Sequence, residues 1–126
     1  VGDSTALRLR SKAMQQLTTD HTIENELKQR AARGEPLGLL MENRNALTRC
    51  IGQPPPLEPD CFAQTILPHD RYLICSDGIT RFIAPEEIAK TMTEAATPEA
   101  LVKTLVDRAN ERGGLDNSTG VALFFE

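Results

Sequence analysis

The chain has 126 residues, 40% of them apolar and 25% charged, with no tryptophan, one tyrosine and four phenylalanines, so an aliphatic core in one domain is expected. No run approaches the roughly 20 apolar residues of a membrane-spanning helix, and Val1-Gly2-Asp3-Ser4-Thr5 has no basic or apolar leader pattern, so membrane and secretory classes are not expected. The net charge of −4 divides into eight Lys/Arg against six Asp/Glu over residues 1–50 and six against twelve over 51–126, a basic excess too small, with too few aromatics, to suggest a nucleic-acid partner.

In chain order, Ala6, Leu7 and Leu9 alternate with Arg8 and Arg10, and Met14 and Leu17 follow, which predicts a hairpin turning near 11–13. Asp20 is placed to cap a helix running to about Arg33, with Ile23, Leu27 and Ala31 as a narrow apolar stripe and Gly34 as the stop. Residues 35–49 mix helix formers with Gly and Pro and read as a partly helical excursion. Pro54-Pro55-Pro56 and Pro59 lack N–H donors and mark a linker or sheet edge before an expected strand near Cys61 to Leu67.

Pro68-His69-Asp70 reads as a turn, and the apolar run Tyr72-Leu73-Ile74-Cys75 as a strand buried on both faces. Two helices are expected next. One starts at Pro85, with Glu86 and Glu87 in its first turn and Ile88, Ala89 and Met92 inward. The other has Thr97 as N-cap, Pro98 at its first position, a stripe of Leu101, Val102, Leu105, Val106 and Ala109, and Gly113-Gly114 as its end. A last strand is expected over Thr119 to Phe125.

Three aspartates stand at predicted strand ends beside small or turn-forming residues: Asp3, Asp77 in Ser76-Asp77-Gly78, and Asp116 in Asp116-Asn117-Ser118. Carboxylates on rigid strand ends suit Mg²⁺ or Mn²⁺, hard ions that take oxygen ligands and leave positions for water and phosphate. Asx-turn bonding explains the same residues without a metal. Cys75-Ser76-Asp77-Gly78-Ile79-Thr80-Arg81 has the Cys-x5-Arg spacing of a thiolate phosphatase loop, but Asp77 inside it would repel both thiolate and phosphate, and Cys75 reads better as a buried strand residue.

Serine chemistry at Gly2-Asp3-Ser4 would need a histidine base near the C-terminus, and the last histidine is His69; there is also no Gly-x-Ser-x-Gly elbow. His21 and His69 read as capping or turn residues. Cys50, Cys61 and Cys75 have no Cys-x-x-Cys pairing, which predicts free thiols and no structural zinc.

In sequence order, Val1-Gly2-Asp3-Ser4, Leu17-Thr18-Thr19-Asp20-His21, Asn45-Ala46-Leu47-Thr48-Arg49, Asp70 to Thr80, and Asn110 to Thr119 resemble successive motifs of the metal-dependent protein phosphatases, the PPM or type 2C serine/threonine family, in its bacterial branch. The resemblance covers nearly the whole chain and identifies it with the C-terminal half of the family's domain. It implies an α+β fold, an α/β/β/α sandwich of antiparallel sheets flanked by helices, with Val1 falling inside that domain. Residues 1–126 would form its C-terminal part and 22–48 a flap-like excursion beside the cleft.

The resemblance further implies that Asp77 and Asp116 bind a pair of Mg or Mn ions and that Asp3 joins Asp77 around a third, weaker ion. Ser76, Gly78 and Asn117 would flank the ligands. The implied reaction is hydrolysis of phosphoserine or phosphothreonine by metal-activated water, with no catalytic side chain beyond the ligands and cysteine a bystander. A cytoplasmic monomer acting on a phosphorylated protein, opposite a cognate serine/threonine kinase, is the expected setting, with no membrane partner. The family's Asp-Gly-x-Gly-Gly block, whose Asp bridges both metals, has no counterpart in these residues, and Arg81 stands where an acidic residue is frequent. The competing expectation is therefore an inactive phosphatase-like module or fragment that acts by protein binding.

Overall fold

The computed structural model describes residues 1–37 and 43–126. These form two compact units, one of residues 1–3 and 19–62, the other of residues 4–18 and 63–126.

The second unit holds a four-stranded antiparallel sheet. Strands β1 (Thr5–Arg10) and β2 (Ala13–Gln16) form the expected hairpin, with Ser11 and Lys12 at φ 50° and 65° making the tight turn. Strand β3 (Arg71–Cys75) pairs with β1 on one side and with β4 (Gly120–Phe124) on the other, giving the order β2-β1-β3-β4. Ala6, Ile74 and Val121 thus stand side by side in one row, and Arg8, Tyr72 and Leu123 in the next.

Leu73 and Cys75 are buried, but Ile74 is 46% exposed, so the expectation of a strand buried on both faces is corrected. The apolar run was misleading because within this unit helices cover one face only. On that face Leu7, Leu9, Leu73 and Cys75 share a core with Ile79, Ile83, Ile88, Met92, Leu101, Leu105 and Ala109. Each large aliphatic side chain buried there contributes about 1.5–3 kcal/mol of transfer free energy.

Helices α3 (Pro85–Glu94) and α4 (Pro98–Glu111) start where the sequence signals them. Thr97 Oγ1 accepts from the Ala100 N–H at 3.2 Å, and Pro98 occupies the first turn, where no N–H is required. Glu87 on α3 accepts from Arg108 of α4 and from Arg112 at its C-cap, at 3.2 and 2.7 Å. The Arg112 bond, ahead of the other nearby cations, holds the Glu87 carboxyl below its ordinary range. Arg71 Nη1 donates to the carbonyls of Met92 and Ala95 at the end of α3, while its guanidinium lies 4.2 Å from the Phe124 ring centre.

The expected strand at 61–67 does not form. Thr65 offers its carbonyl to Arg10 Nη2 at 2.8 Å, a side-chain donor in place of a ladder N–H. The turn at Pro68-His69 forms, with His69 at φ 68°. One four-residue helix, α2 (Asp77–Thr80), was not anticipated.

In the first unit, helix α1 (Ile23–Ala32) is capped by Thr22 rather than by Asp20: Thr22 Oγ1 accepts from the Asn25 N–H at 3.2 Å, while the Asp20 carbonyl receives the Asn25 side-chain amide at 2.8 Å. Gly34 follows at φ 72°. None of the helix residues is buried, so the narrow stripe of Ile23, Leu27 and Ala31 builds no core. The described residues of the 35–49 excursion contain no helix and instead make a bridge from Leu47 to Thr22; residues 38–42 lie outside the described part.

His21, expected as a cap or turn residue, is buried at 6% exposure. Its Nδ1 accepts from the Gly2 N–H at 3.2 Å, and its Nε2 meets Asp60 Oδ2 at 2.9 Å. Arg49 Nη1 donates to the other Asp60 oxygen at 2.8 Å. The His21 bond, then Arg49, lowers the Asp60 pKa.

Candidate metal centre

Strand β3 delivers Ser76 and Asp77 directly from the core, because Leu73 and Cys75 anchor its last residues. The loop before β4 is laced to this corner. Ser76 N–H donates to the Thr119 carbonyl at 3.0 Å, Thr119 N–H to Ser76 Oγ at 3.1 Å, and Ser76 Oγ to the Asn117 carbonyl at 3.2 Å. Ser118 Oγ donates to the Gly78 carbonyl at 3.1 Å. A Cβ on Gly78 would lie 2.1 Å from the Asn117 carbonyl oxygen, so only glycine lets the two segments come this close.

This lacing carries Asp77 and Asp116 to one guanidinium. Arg81 Nη2 is 2.7 Å from Asp77 Oδ2 and its Nη1 is 3.8 Å from Asp116 Oδ2. Asp116 Oδ1 accepts from the Asn117 N–H at 2.7 Å, an Asx-type bond that orients the carboxylate. Asp77 is 24% and Asp116 44% exposed, so both remain open to solvent.

The five expected residues Ser76, Asp77, Gly78, Asp116 and Asn117 therefore form one corner of the second unit. Asp3 belongs to the first unit, where its neighbour Gly2 is tied to His21. The donor chemistry, carboxylate oxygens on a rigid corner, fits a hard divalent cation. The count is short: among the described residues no group of three or more His, Cys, Asp or Glu side chains could hold a metal ion.

Arg81 as the shared partner of both carboxylates was missed from sequence. Its spacing of four from Asp77 in a helical turn was the available signal. Cys75 is buried at 3% exposure, and burial pushes its thiol up to about 11. A thiol so protonated is no nucleophile near neutrality, which removes the physical basis for the Cys-x5-Arg alternative.

Protein phosphatase PhpP of Streptococcus pneumoniae is 37% identical over 124 residues, covering 98% of this chain and 50% of its own length. The Streptococcus agalactiae serine/threonine phosphatase superposes with a TM-score of 0.83 at 34% identity, over 99% of this chain and 51% of that one. The chain is a homologue of the bacterial PPM serine/threonine phosphatases. It spans about half the length of the curated relatives it matches. The catalytic domain of the serine/threonine phosphatase PstP, a structure in complex with two manganese ions, matches with a TM-score of 0.77 at 27% identity over 100% of this chain and 52% of that one. No protein-family model matches the chain. The four-stranded antiparallel sheet with its helices corresponds to part of the PPM fold.

Proposed function

We propose that the chain supplies one part of a metal-dependent phosphatase domain that hydrolyses phosphoserine and phosphothreonine in proteins. The observation that carries the reading is the lacing of 76–78 to 117–119, which brings Asp77 and Asp116 to a common cation.

In this reading Asp77 and Asp116 hold Mg or Mn, and Asp3 serves a third ion. Bound divalent ions supply charge neutralisation for the phosphoryl oxygens and acidify water for in-line attack. The chain's own residues bind and orient. Ser76 and Ser118 hold the two loops together, Asn117 turns the Asp116 carboxylate through its N–H, and Gly78 leaves room for the approach. The remaining ligands, and the second sheet of the α/β/β/α sandwich, would come from the other half of a complete domain, with 22–48 as its flap. The likeness to bacterial PPM phosphatases supports a phosphoprotein substrate, and with it a kinase that supplies the phosphate.

The competing reading, a noncatalytic module that binds a protein partner, is favoured by the lack of a cluster of three ligating side chains among the described residues. Phosphopeptide hydrolysis by the complete domain, assayed with Mn²⁺, with chelator and with a thiol alkylator, separates the two. Chelator-sensitive and alkylator-resistant turnover is expected. Asp77→Asn in that protein should lower turnover by about 100-fold or more, with circular dichroism unchanged. Unaltered turnover in the variant would sink the metal assignment, and no turnover in the wild type would favour the noncatalytic module.

A further inference from the structure

We propose that Arg81 is a tethered counter-cation for Asp77 and Asp116, so that divalent metal reaches these carboxylates only by displacing its guanidinium. The inference rests on the metal-centre reading above. Two different nitrogens of one guanidinium face two different carboxylates, at 2.7 and 3.8 Å. That is the position of a bridging cation.

The arrangement follows from the fold. Lacing the 117–119 loop against 76–78 brings two negative charges within reach of one guanidinium, and a positive charge there eases their repulsion. Arg81 supplies one from the same turn of chain. Its N–H donates to the Asp77 carbonyl at 3.0 Å, which fixes its Cα one helical turn from Asp77 and keeps the tether short. Arginine does not lose its charge at any ordinary pH, so the guanidinium vacates by rotating and not by deprotonating. It is 44% exposed and has solvent to turn into.

Displacement is not costly. Solvent-exposed pairs of this kind are weak individually, so two of them reduce metal affinity by about three- to tenfold and do not block the site. Arg81 is thus a tuning residue for metal loading and not a catalytic one.

The test is direct titration of Mn²⁺ into the complete, substrate-free domain, following free Mn²⁺ by electron paramagnetic resonance. Arg81→Ala and Arg81→Gln should each bind Mn²⁺ about three- to tenfold more tightly than wild type. Arg81→Lys, which keeps the charge but cannot present two nitrogens to two carboxylates, should fall between them and wild type. Unchanged or weaker binding in Arg81→Ala and Arg81→Gln overturns the proposal. So does unchanged affinity with a raised KM for phosphopeptide, which would make Arg81 a substrate contact. Asp77→Asn tests the underlying reading separately: if it binds Mn²⁺ as wild type does, the metal centre itself is wrong, whatever Arg81 does.

Discussion

A methyl group on Gly78 would place its carbon 2.1 Å from the Asn117 carbonyl oxygen, a backbone atom held by Ser76 and unable to swing aside. Gly78→Ala must therefore push the 117–119 loop away from the end of β3. The expected cost is about 1–3 kcal/mol, typical of overpacking at a fixed contact, read as a lowered urea midpoint with unchanged slope. The same shift would part Asp77 from Asp116, so metal affinity should fall together with stability. Ser-Asp-Gly after an apolar strand was legible as a candidate corner because turn chemistry and strand ends are local properties. The pairing with Asp116 is not local: it depends on β4 returning beside β3, and only the resemblance pointed to it. The role of Arg81 as their shared partner was hidden for the same reason, since its second partner lies 35 positions further along the chain.

Between elements, the buried carboxylate of Asp70 does the joining. It accepts from Arg10 Nε and Nη2 at 2.7 and 2.6 Å and from the Leu67 N–H at 2.9 Å, tying the end of β1 to the turn that enters β3. The Arg10 bond, supported by Leu67, holds the Asp70 carboxyl far below its ordinary range, against the opposing effect of burial. A carboxyl with a depressed folded-state pKa stabilises the fold above its unfolded value, near 3.9, and that contribution is lost as pH falls toward the folded value. Unfolding free energy should therefore decline as pH drops below about 4. Asp70→Asn should be less stable at pH 7 and show a shallower acid limb in chemical denaturation. The elements themselves were mostly readable: the hairpin from its period of two, α3 and α4 from Pro and Thr at their starts. The 61–67 strand was misjudged because β-propensity says nothing about which partners the backbone meets, and here the Thr65 carbonyl is taken by the Arg10 side chain.

At the scale of the whole molecule, the uncovered face of the sheet carries the remaining question. Ile74, Val121 and Leu123 stand there at 46%, 54% and 45% exposure, in adjacent rows of β3 and β4. The unbroken apolar run of β3 suggested burial on both faces, and its helix-facing residues meet that expectation while Ile74 does not. The proposed sandwich accounts for the difference, because its second sheet would lie on this face. A charge placed there distinguishes the cases. In the 126-residue chain alone, Ile74→Asp exchanges a half-exposed strand residue for a poor strand former and should cost only about 1 kcal/mol of unfolding free energy. In a complete domain the same carboxylate would be buried between two sheets without a partner, costing about 3 kcal/mol or more. Denaturant melts of the four proteins, wild type and variant in each length, give the comparison. Equal small effects in both lengths would mean that no second sheet covers Ile74, and would remove the architectural basis for treating this chain as half of a phosphatase sandwich.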